Sequence, residues 1–366
     1  MMMRRNEKEK FKVADERRRL FSRRLLDWNQ VHNHREMPWK NESNPYYIWL
    51  SEIILQQTRV EQGWKYYQAF IETFPTIQEL AAAPEQQVFK LWEGLGYYSR
   101  CRNLIATAKK ITREYGGVFP DSYEAILDLK GVGPYTAAAI ASFAYNLPHA
   151  VLDGNVFRVL SRIHDIDLPV DTTEGKKGFA AIAQQHLPKG KAGIYNQAIM
   201  DFGATICKPV PLCDQCFFND HCLAFLQGKQ ALLPVKTKKM QVKERWFHYV
   251  VLQHGSETLI RQRVAKDIWQ DLYEPLLIEG ECSLEKKKVL QQVASVYAIH
   301  LEEAAVISAG AKTKQKLSHQ TIHFSFIHLQ CAIRPEINGF FWVDKKEITH
   351  YAFPKTLQAF IAKNIL

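Results

Sequence analysis

Four cysteines fall within sixteen residues of the chain, and they constrain its fold more than any other feature. Their spacing is Cys207-x5-Cys213-x2-Cys216-x5-Cys222, and the other three of the seven cysteines are scattered. The charged N-terminus has no apolar segment behind it, so we expect no signal peptide and a reducing, cytoplasmic compartment. In such a compartment, clustered cysteines indicate metal binding before disulfides. The loop is therefore expected to fold around a metal centre.

Two kinds of metal centre suit four cysteine ligands. Structural zinc sites usually separate two cysteine pairs by about a dozen residues or more. Four thiolates in one compact loop are more typical of a [4Fe–4S] cluster. The spacing therefore favours the cluster, while zinc, or cysteines without a metal role, stay open at this point.

Length and charge narrow the class of protein. The chain has 366 residues, 46% of them hydrophobic and 23% charged, which suits two or three globular domains. The net charge of +10 suggests a polyanionic partner, although charge alone is a weak signal. The apolar runs are much shorter than a membrane span, so we expect no membrane insertion.

Two regions differ in their periodicity. From residue 11 to 226 apolar residues recur at three- and four-residue spacing, which predicts helices. Residues 227–243 are polar and basic, and we interpret them as a linker. Residues 244–366 alternate as strands do and are predicted to form an α+β domain with two helices. The predicted strands are HYVVLQ, TLIRQR, LYEPLLIE, QTIHFSFIHLQCAI and GFFWV.

A glycine turn precedes an alanine-rich helix in LKGVGPYTAAAIASFA. Gly131 and Gly133 allow backbone N–H groups to point outward at a helix N-terminus, where they can bind a phosphate oxygen. A dinucleotide fold would need a third glycine where Thr136 stands, and a strand before the turn where YEAILDL reads as a helix. A plain corner between two helices is the alternative to phosphate binding.

Two carboxylates suggest acid–base chemistry. Glu52 lies on a helix predicted over 46–60, with Asn44 as N-cap and Pro45 at the first position. Its neighbours there are apolar and aromatic, and burial among them would raise its pKa and make it a general acid. Asp153, in VLDGNVFRVL, stands where an N-cap is expected. Cleavage of a glycosidic bond needs one protonated and one ionised carboxylate. The alternatives are a solvent-facing Glu52 and an Asp153 that only caps its helix.

In combination, seven stretches resemble the MutY adenine DNA glycosylases, a family within the helix-hairpin-helix superfamily that includes endonuclease III. Together they cover most of residues 20–225. The stretches are MPWK, PYYIWLSEIILQQTRV, LWEGLGYYSRCRNL, LKGVGPYTAAAIASFA, LDGNVFRVLSR, YNQAIMDFGATIC and the cysteine loop itself. The resemblance implies a mainly α catalytic region, with a six-helix barrel and a [4Fe–4S] module, followed by a C-terminal α+β Nudix-like domain. No Nudix catalytic box is found, so we expect no pyrophosphohydrolase activity.

The resemblance also implies an activity and its residues. Such enzymes excise adenine mispaired with 8-oxoguanine or guanine in double-stranded DNA, in base excision repair. Glu52 would protonate adenine, and Asp153 would stabilise or trap the oxocarbenium ion, supported by Tyr135 and Asn155. The other implied roles are as follows: Arg35, Trp39 and Leu55 line the adenine pocket; Gln57, Thr58, Leu95 and Tyr97 hold the lesion strand; Gly131 and Gly133 bind phosphate; Ser318 and His319 contact 8-oxoguanine; and Cys207, Cys213, Cys216 and Cys222 bind the [4Fe–4S] cluster.

Tyr135 separates the rival functions. Bifunctional relatives carry a lysine at this position that attacks the sugar as a Schiff-base nucleophile, and tyrosine cannot form an imine. We therefore expect a monofunctional glycosylase, a monomer that is associated with the nucleoid if the source is bacterial. The alternatives are an endonuclease III-like glycosylase and lyase, and a non-catalytic Fe–S protein that binds DNA.

Overall fold

The computed structural model describes residues 2–37, 39–237, 242–301 and 304–366. The chain forms two compact units. Unit 1 comprises Met1–Ala82 and Asn103–Lys238, and unit 2 comprises Ala83–Arg102 and Lys239–Leu366. Residues 238–241 of the predicted linker, and Pro38 of the MPWK motif, lie outside the described residues. Among the described residues, no helix has the length and apolar character needed to cross a bilayer.

Helices make up most of the chain before residue 227, as the sequence predicts. They are α1 (Met2–Val31), α2 (Pro45–Leu55), α3 (Val60–Thr73), α4 (Ile77–Ala82), α5 (Glu85–Leu91), α6 (Tyr98–Glu114), α7 (Tyr123–Leu127), α8 (Pro134–Tyr145), α9 (Gly154–His164), α10 (Thr173–His186), α11 (Ala192–Thr205) and α12 (Leu223–Leu226). Short 3₁₀ turns occupy Cys213–Gln215 and Asn219–His221.

Helix α2 begins where the sequence predicts and ends earlier. The Asn44 side chain accepts a hydrogen bond from the Tyr46 N–H at 3.0 Å, and Pro45 occupies the first turn, so the predicted cap is confirmed. The prediction that the helix runs to residue 60 is wrong, because it stops at Leu55. Gln57 has φ of +57°, a left-handed conformation that a right-handed helix cannot continue through.

The core of unit 1 is built from α1 and the helices that follow the glycine turn. Phe21, Val159, Phe179 and Phe202 are fully or almost fully buried within it. The cysteine loop packs against the same core through Cys207, Cys216, Phe217 and Cys222, which are partly buried. Because the loop is anchored on these helices, its position is fixed relative to α9, which Asp153 caps.

Unit 2 contains a seven-stranded mixed sheet. Its strands are β1 (Lys243–His254), β2 (Glu257–Gln262), β3 (Tyr273–Glu274), β4 (Leu276–Gly280), β5 (Ala305–Lys316), β6 (Gln320–Gln330) and β7 (Phe341–Asp344). The order is β3-β2-β1-β6-β5, with β4 beside β1 and β7 beside β2. β1 and β6 run parallel, and the other pairs are antiparallel. Helices α13 (Lys286–Tyr297) and α14 (Lys355–Asn364) are the two predicted helices.

Two strand predictions differ from the structure. Strand β5 was not predicted, because its sequence AVISAGAKTKQK is rich in alanine and lysine, which strands disfavour. The predicted strand LYEPLLIE is divided into β3 and β4 at Pro275, since proline lacks the N–H that a ladder needs. The edge strand β5 also contains two register shifts, at Val306/Ser308 and Ala309/Ala311.

The segment Ala83–Arg102 belongs to unit 2 although it lies within the helical region of the sequence. The Lys90 ammonium donates to the Tyr351 carbonyl at 3.1 Å, and the Glu93 carboxylate accepts from the Phe353 N–H at 2.8 Å. Arg102 donates to the Gln270 carbonyl at 3.0 Å. These hydrogen bonds explain why α5 and the turn after it cluster with the C-terminal strands rather than with their sequence neighbours.

Candidate functional site

Glu52 is a buried carboxylate on α2, only 6% exposed. Burial raises its pKa to about 7, a hydrogen bond from Tyr135 lowers it, and the nearby charge of Asp153 raises it again. The sequence left open whether Glu52 faces solvent, and the structure places it in the interior. A carboxyl group with a pKa near neutrality can hold a proton at pH 7 and donate it.

Asp153 lies at the N-cap of α9, as predicted from the sequence. Its Oδ1 accepts from the Val156 N–H at 2.8 Å, and its Oδ2 accepts from the Asn155 amide at 2.7 Å. Burial raises the pKa of Asp153, while these two hydrogen bonds oppose the rise. Two donors, one of them at a helix N-terminus, stabilise the ionised form. Asp153 is therefore better suited than Glu52 to carry negative charge.

A chain of hydrogen bonds connects Asp153 with the cysteine loop. Asn155, which donates to Asp153, accepts from an Arg158 Nη atom at 2.8 Å. Arg158 also donates to the Cys207 carbonyl at 2.7 Å and to the Gly203 carbonyl at 2.7 Å. The amide of Asn155 is thus oriented by an arginine whose own position is set by two backbone carbonyls.

A cavity of about 480 Å³ opens beside Glu52 in unit 1. Of the residues that the sequence assigns to an adenine pocket, Trp39 lines it, together with Lys40 and Gln197. The Trp39 ring meets the Tyr67 ring edge to face, with centroids 5.5 Å apart. The cavity is large enough for a planar heterocycle and reaches the protonatable carboxyl group.

Arg35 and Leu55, the other two residues assigned to that pocket, have different surroundings. Arg35 donates to the carboxylate of Asp201 at 2.8 Å, and Asp201 has no exposed surface. The Leu55 side chain lies against the backbone of Gly63, where an added Cβ would come within 2.9 Å of it. Gln57 and Thr58 follow in the turn after α2, where the Thr58 N–H donates to the Leu55 carbonyl at 3.0 Å.

The glycine turn connects α7 to α8. Gly131 has φ of +81°, and a Cβ there would lie 2.7 Å from the Asn103 side chain, so only glycine fits. Gly133 is the N-cap of α8, and a Cβ there would meet open space. The turn is closed by the Val132 N–H, which donates to the Leu129 carbonyl at 3.1 Å. An accessible helix N-terminus of this kind is suited to a phosphate oxygen.

All four cysteines of the loop line one cavity in unit 1, together with apolar side chains such as Phe202 and Phe218. The Phe218 N–H donates to the Cys216 sulfur at 3.4 Å. Among the residues that the structure describes, no three His, Cys, Asp or Glu side chains are close enough to hold a single metal ion. The four thiols thus share one apolar cavity.

Arg162 organises the cysteine loop from α9. Its guanidinium donates to the Lys208 carbonyl at 2.6 Å and to the Pro209 carbonyl at 2.9 Å, and it lies 3.5 Å from the Cys207 sulfur. The sequence analysis did not single out Arg158 or Arg162. Their spacing of four residues places both on one helix face, but 45 positions separate Arg162 from Cys207, so no local signal in the sequence connects either arginine with the loop.

The residues assigned to the lesion strand in unit 2 are more exposed than Glu52, with one exception. Tyr97 is 40% exposed with φ of +50°, and its hydroxyl donates to the Ser318 hydroxyl at 2.9 Å. Ser318 and His319 form the exposed turn between β5 and β6. Leu95 is the exception, since it is buried at 5% exposure. The structure thus brings together Tyr97 and Ser318, which are distant in sequence.

Comparison with known proteins assigns families to two regions. Residues 50–179 match the family model described as HhH-GPD superfamily base excision DNA repair protein. Residues 248–363 match the model of the NUDIX domain. The first match contains Glu52, the glycine turn and Asp153, and the second contains the strands β6 and β7.

One of the curated relatives matches nearly the whole chain, and others match more than half of it. An adenine DNA glycosylase from Buchnera aphidicola subsp. Acyrthosiphon pisum is 30% identical over 349 residues, which are 93% of this chain and 96% of that protein. The adenine DNA glycosylase of Homo sapiens is 40% identical over 219 residues, which are 57% of this chain and 40% of that protein. Similarity to enzymes of this name therefore extends across bacteria and eukaryotes.

Two solved structures resemble the chain over more than half its length. A thermostable thymine-DNA glycosylase is 28% identical, with a TM-score of 0.54 over 59% of this chain and 99% of that chain. A trapped endonuclease III–DNA covalent intermediate is 20% identical, with a TM-score of 0.51 over 58% of this chain and 98% of that chain. The second likeness concerns the fold alone, and it confirms the predicted helix-hairpin-helix architecture.

Proposed function

We propose that this chain, which belongs to the adenine DNA glycosylase family, excises adenine opposite 8-oxoguanine or guanine in duplex DNA by a monofunctional mechanism. Membership makes it a DNA repair enzyme that hydrolyses an N-glycosyl bond. The observation that best supports the proposed mechanism is the buried Glu52, with a pKa of about 7, beside an Asp153 that accepts two hydrogen bonds.

Glu52 is assigned the role of general acid. A proton on its carboxyl group would pass to a ring nitrogen of adenine, so that the base leaves as a neutral molecule. The adenine must first be flipped out of the duplex, and the cavity lined by Trp39 and Glu52 is the proposed receptacle. Tyr135, which hydrogen-bonds to Glu52, would orient the carboxyl group.

Asp153 is assigned the role of the ionised partner. As the bond between sugar and base breaks, positive charge develops on the sugar, and a fixed carboxylate stabilises it or traps it covalently. Asn155 would keep Asp153 ionised and oriented, since its amide donates to the carboxylate at 2.7 Å. Water then completes the hydrolysis and leaves an abasic site.

A [4Fe–4S] cluster is the proposed cofactor, with Cys207, Cys213, Cys216 and Cys222 as ligands. Four thiols around one apolar cavity, supplied by a single loop of sixteen residues, suit a compact cluster better than a zinc ion. When bound, the cluster would supply four iron–thiolate bonds that brace the loop. Arg162 would hold the loop backbone in place for those bonds, through the Lys208 and Pro209 carbonyls.

The lesion is proposed to be read mainly by unit 2. Tyr97 would be wedged into the base stack next to 8-oxoguanine, while Ser318 and His319 would contact the oxidised base. The hydrogen bond between Tyr97 and Ser318 supports a shared role. Leu95, Gln57 and Thr58 are proposed to hold the same strand, and the Gly131 and Gly133 turn is proposed to bind a phosphate.

A single-turnover assay tests the proposal on a duplex with one adenine opposite 8-oxoguanine. Each time point is divided, and half is treated with hot alkali. We expect strand cleavage only after alkali, and none with Glu52→Gln or Asp153→Asn. Strand cleavage without alkali would contradict the monofunctional mechanism. If protein that contains its cluster released no base, adenine opposite 8-oxoguanine would not be the substrate.

A further inference from the structure

Three lysines of β5 lie side by side on one face of the unit 2 sheet. Alternate residues of a strand share a face, and residues paired across strands share it too. The pairing of β5, β6 and β1 therefore defines three rows. The rows are Lys312–Ser325–His248, Lys314–His323–Trp246 and Lys316–Thr321–Glu244. We call Lys312, Lys314 and Lys316 the lysine ladder.

The ladder is exposed, and the carboxylate of Glu244 interacts electrostatically with Lys314. All three lysines are exposed, and within the described residues none of their ammonium groups forms a salt bridge. Lys312 donates to the Ser283 hydroxyl at 3.2 Å. Glu244 is the acidic residue of the three rows, and its carboxylate is paired with His323. The face therefore keeps a net positive charge.

A shallow cavity of about 400 Å³ lies beside Lys312 and Lys314 of the ladder. Lys312 and Lys314 form one wall, and the Trp246 ring stacks on the His323 ring with centroids 4.7 Å apart and planes 10° apart. In the neighbouring row, which begins with Lys312, the His248 Nδ1 and the Ser325 hydroxyl are 2.6 Å apart. The floor is therefore aromatic and polar, and the wall carries the charge.

The ladder leads directly to the turn that is proposed to read the lesion. Lys316 is the last residue of β5, and Ser318 and His319 follow it before β6 begins. From Lys312 to Lys316 a strand rises about 13 Å, which is close to the axial rise of roughly four nucleotides of B-DNA. Neighbouring lysines of the ladder are about 6.6 Å apart along the strand, so the three charges match every second phosphate along the axis of one DNA strand.

We propose that the lysine ladder binds the phosphodiester backbone of the duplex beside the lesion, without reading its sequence. The inference rests on the proposed function, because it takes DNA that carries 8-oxoguanine as the ligand. Each neutralised phosphate releases a condensed counterion, so the contribution of the ladder to the binding free energy depends on salt concentration. Because phosphates are the same in both, this contribution is equal for damaged and undamaged duplex. Unit 2 then contributes affinity as well as lesion recognition.

The arrangement favours a backbone over a free nucleotide. A nucleotide polyphosphate needs donors that converge on adjacent phosphates, whereas the three lysines are spread in line along an open strand. Their exposed ammonium groups suit contacts that hold the protein on DNA in many sequence contexts. A free nucleotide is accordingly an outcome of the test rather than the expected ligand.

The test measures the dissociation constant of the full-length protein with its cluster against salt concentration. Two duplexes are used, one undamaged and one with 8-oxoguanine opposite an uncleavable adenine analogue. For K312Q/K314Q/K316Q we expect the slope of log K against log salt to fall by about 2 to 3, with the same loss of affinity on both duplexes. The control K345Q/K346Q/K363Q removes three exposed charges of unit 2 outside the ladder and should keep the wild-type slope.

Three results would overturn the proposal. In the first, the ladder variant has the same salt slope of DNA binding as the control variant. In the second, the ladder variant loses affinity only for the 8-oxoguanine duplex. In the third, the ladder variant alone fails to bind free dGMP, while the salt slope of its DNA binding stays unchanged. Melting curves verify that both variants are folded. Base release by wild-type protein is followed separately on a cleavable duplex. If DNA binding depends steeply on salt but no adenine is released, the proposed function is contradicted and the proposal for the lysine ladder is still supported.

Discussion

The buried carboxylates of unit 1 and the exposed turn of unit 2 show two different ways of making a functional site. Glu52 is 6% exposed, and its pKa is raised to about 7 mainly by burial. Tyr97 is 40% exposed, and Ser318 and His319 are exposed beside it. Proton transfer needs a desolvated group whose pKa has been shifted, while recognition needs groups that can meet a large ligand from solvent. Substitutions should therefore affect different quantities in the two units.

The largest effect is expected from Glu52→Gln. Removal of a general acid should lower the single-turnover rate of base release by roughly 100- to 10,000-fold, with little change in affinity for the duplex. Glu72→Gln, an exposed change on α3, serves as the control and should keep the wild-type rate. A rate for Glu52→Gln within tenfold of wild type would remove Glu52 from the chemistry.

The same substitution should stabilise the protein at alkaline pH. A carboxyl group whose folded pKa is about 7, against an ordinary value of 4.5, disfavours the folded state increasingly as pH rises from 4.5 to 7. Above pH 7 the cost is full, at roughly 3 kcal/mol. Glu52→Gln should therefore raise the melting temperature at pH 8 and leave it nearly unchanged at pH 4.5, as calorimetry can measure. A lower melting temperature at pH 8 would contradict the burial argument.

Asn155→Ala should make the ionised form of Asp153 less stable. Loss of the amide that donates to Asp153 at 2.7 Å raises the pKa of Asp153 further. The rate should fall about tenfold at pH 7, and its acid limb should shift to higher pH. Asn155→Asp is not a suitable control because it adds a charge. Asn364→Ala removes an exposed amide of α14, which donates to the Phe360 carbonyl at 2.8 Å, and should keep the wild-type rate. An acid limb that does not move would limit Asn155 to a structural role.

Ser318→Ala should affect discrimination rather than chemistry. Loss of one hydroxyl contact corresponds to about 1 kcal/mol, so the preference for 8-oxoguanine over guanine opposite adenine should fall roughly fivefold. Ser308→Ala, an exposed serine of β5, is the matched control. If Ser318→Ala slowed release equally from both duplexes, the division between excision in unit 1 and reading in unit 2 would fail.

The smallest effect concerns stability alone. The Nε2 atoms of His164 and His186 are 2.7 Å apart, and burial lowers their pKa values to about 4 and about 3, respectively. Neutral imidazoles are favoured in the folded state, so stability is lost as pH falls below the ordinary value of 6.5. His164→Leu should reduce the loss of unfolding free energy between pH 7.5 and 5.5 by about 1 kcal/mol. Equal losses in variant and wild type would contradict this.

Local signals predicted the elements that contain the site. The Asn44 cap, the Pro45 start and the Asp153 cap are properties of neighbouring residues, and the structure has all three. The apolar neighbours of Glu52 on α2 indicated burial but left a solvent-facing side chain open, and the structure decides for burial. Strand β5 was missed, because its stability comes from pairing with β6 rather than from its own residues.

Long-range contacts could not be predicted from the sequence. The hydrogen bond between Tyr97 and Ser318 joins residues 221 positions apart, and nothing in either stretch indicates the other. The same holds for Arg35, whose partner Asp201 is 166 positions away. Such pairs depend on tertiary packing, which local periodicity does not contain.

The most direct test of the central claim is the pH dependence of single-turnover base release by the wild-type enzyme at saturating concentration. If Glu52 donates its proton with a pKa of about 7, the rate constant should decline above pH 7 and approach a tenfold fall per pH unit by about pH 8. A rate constant that stays level from pH 7 to about pH 9 would contradict proton donation by a buried Glu52.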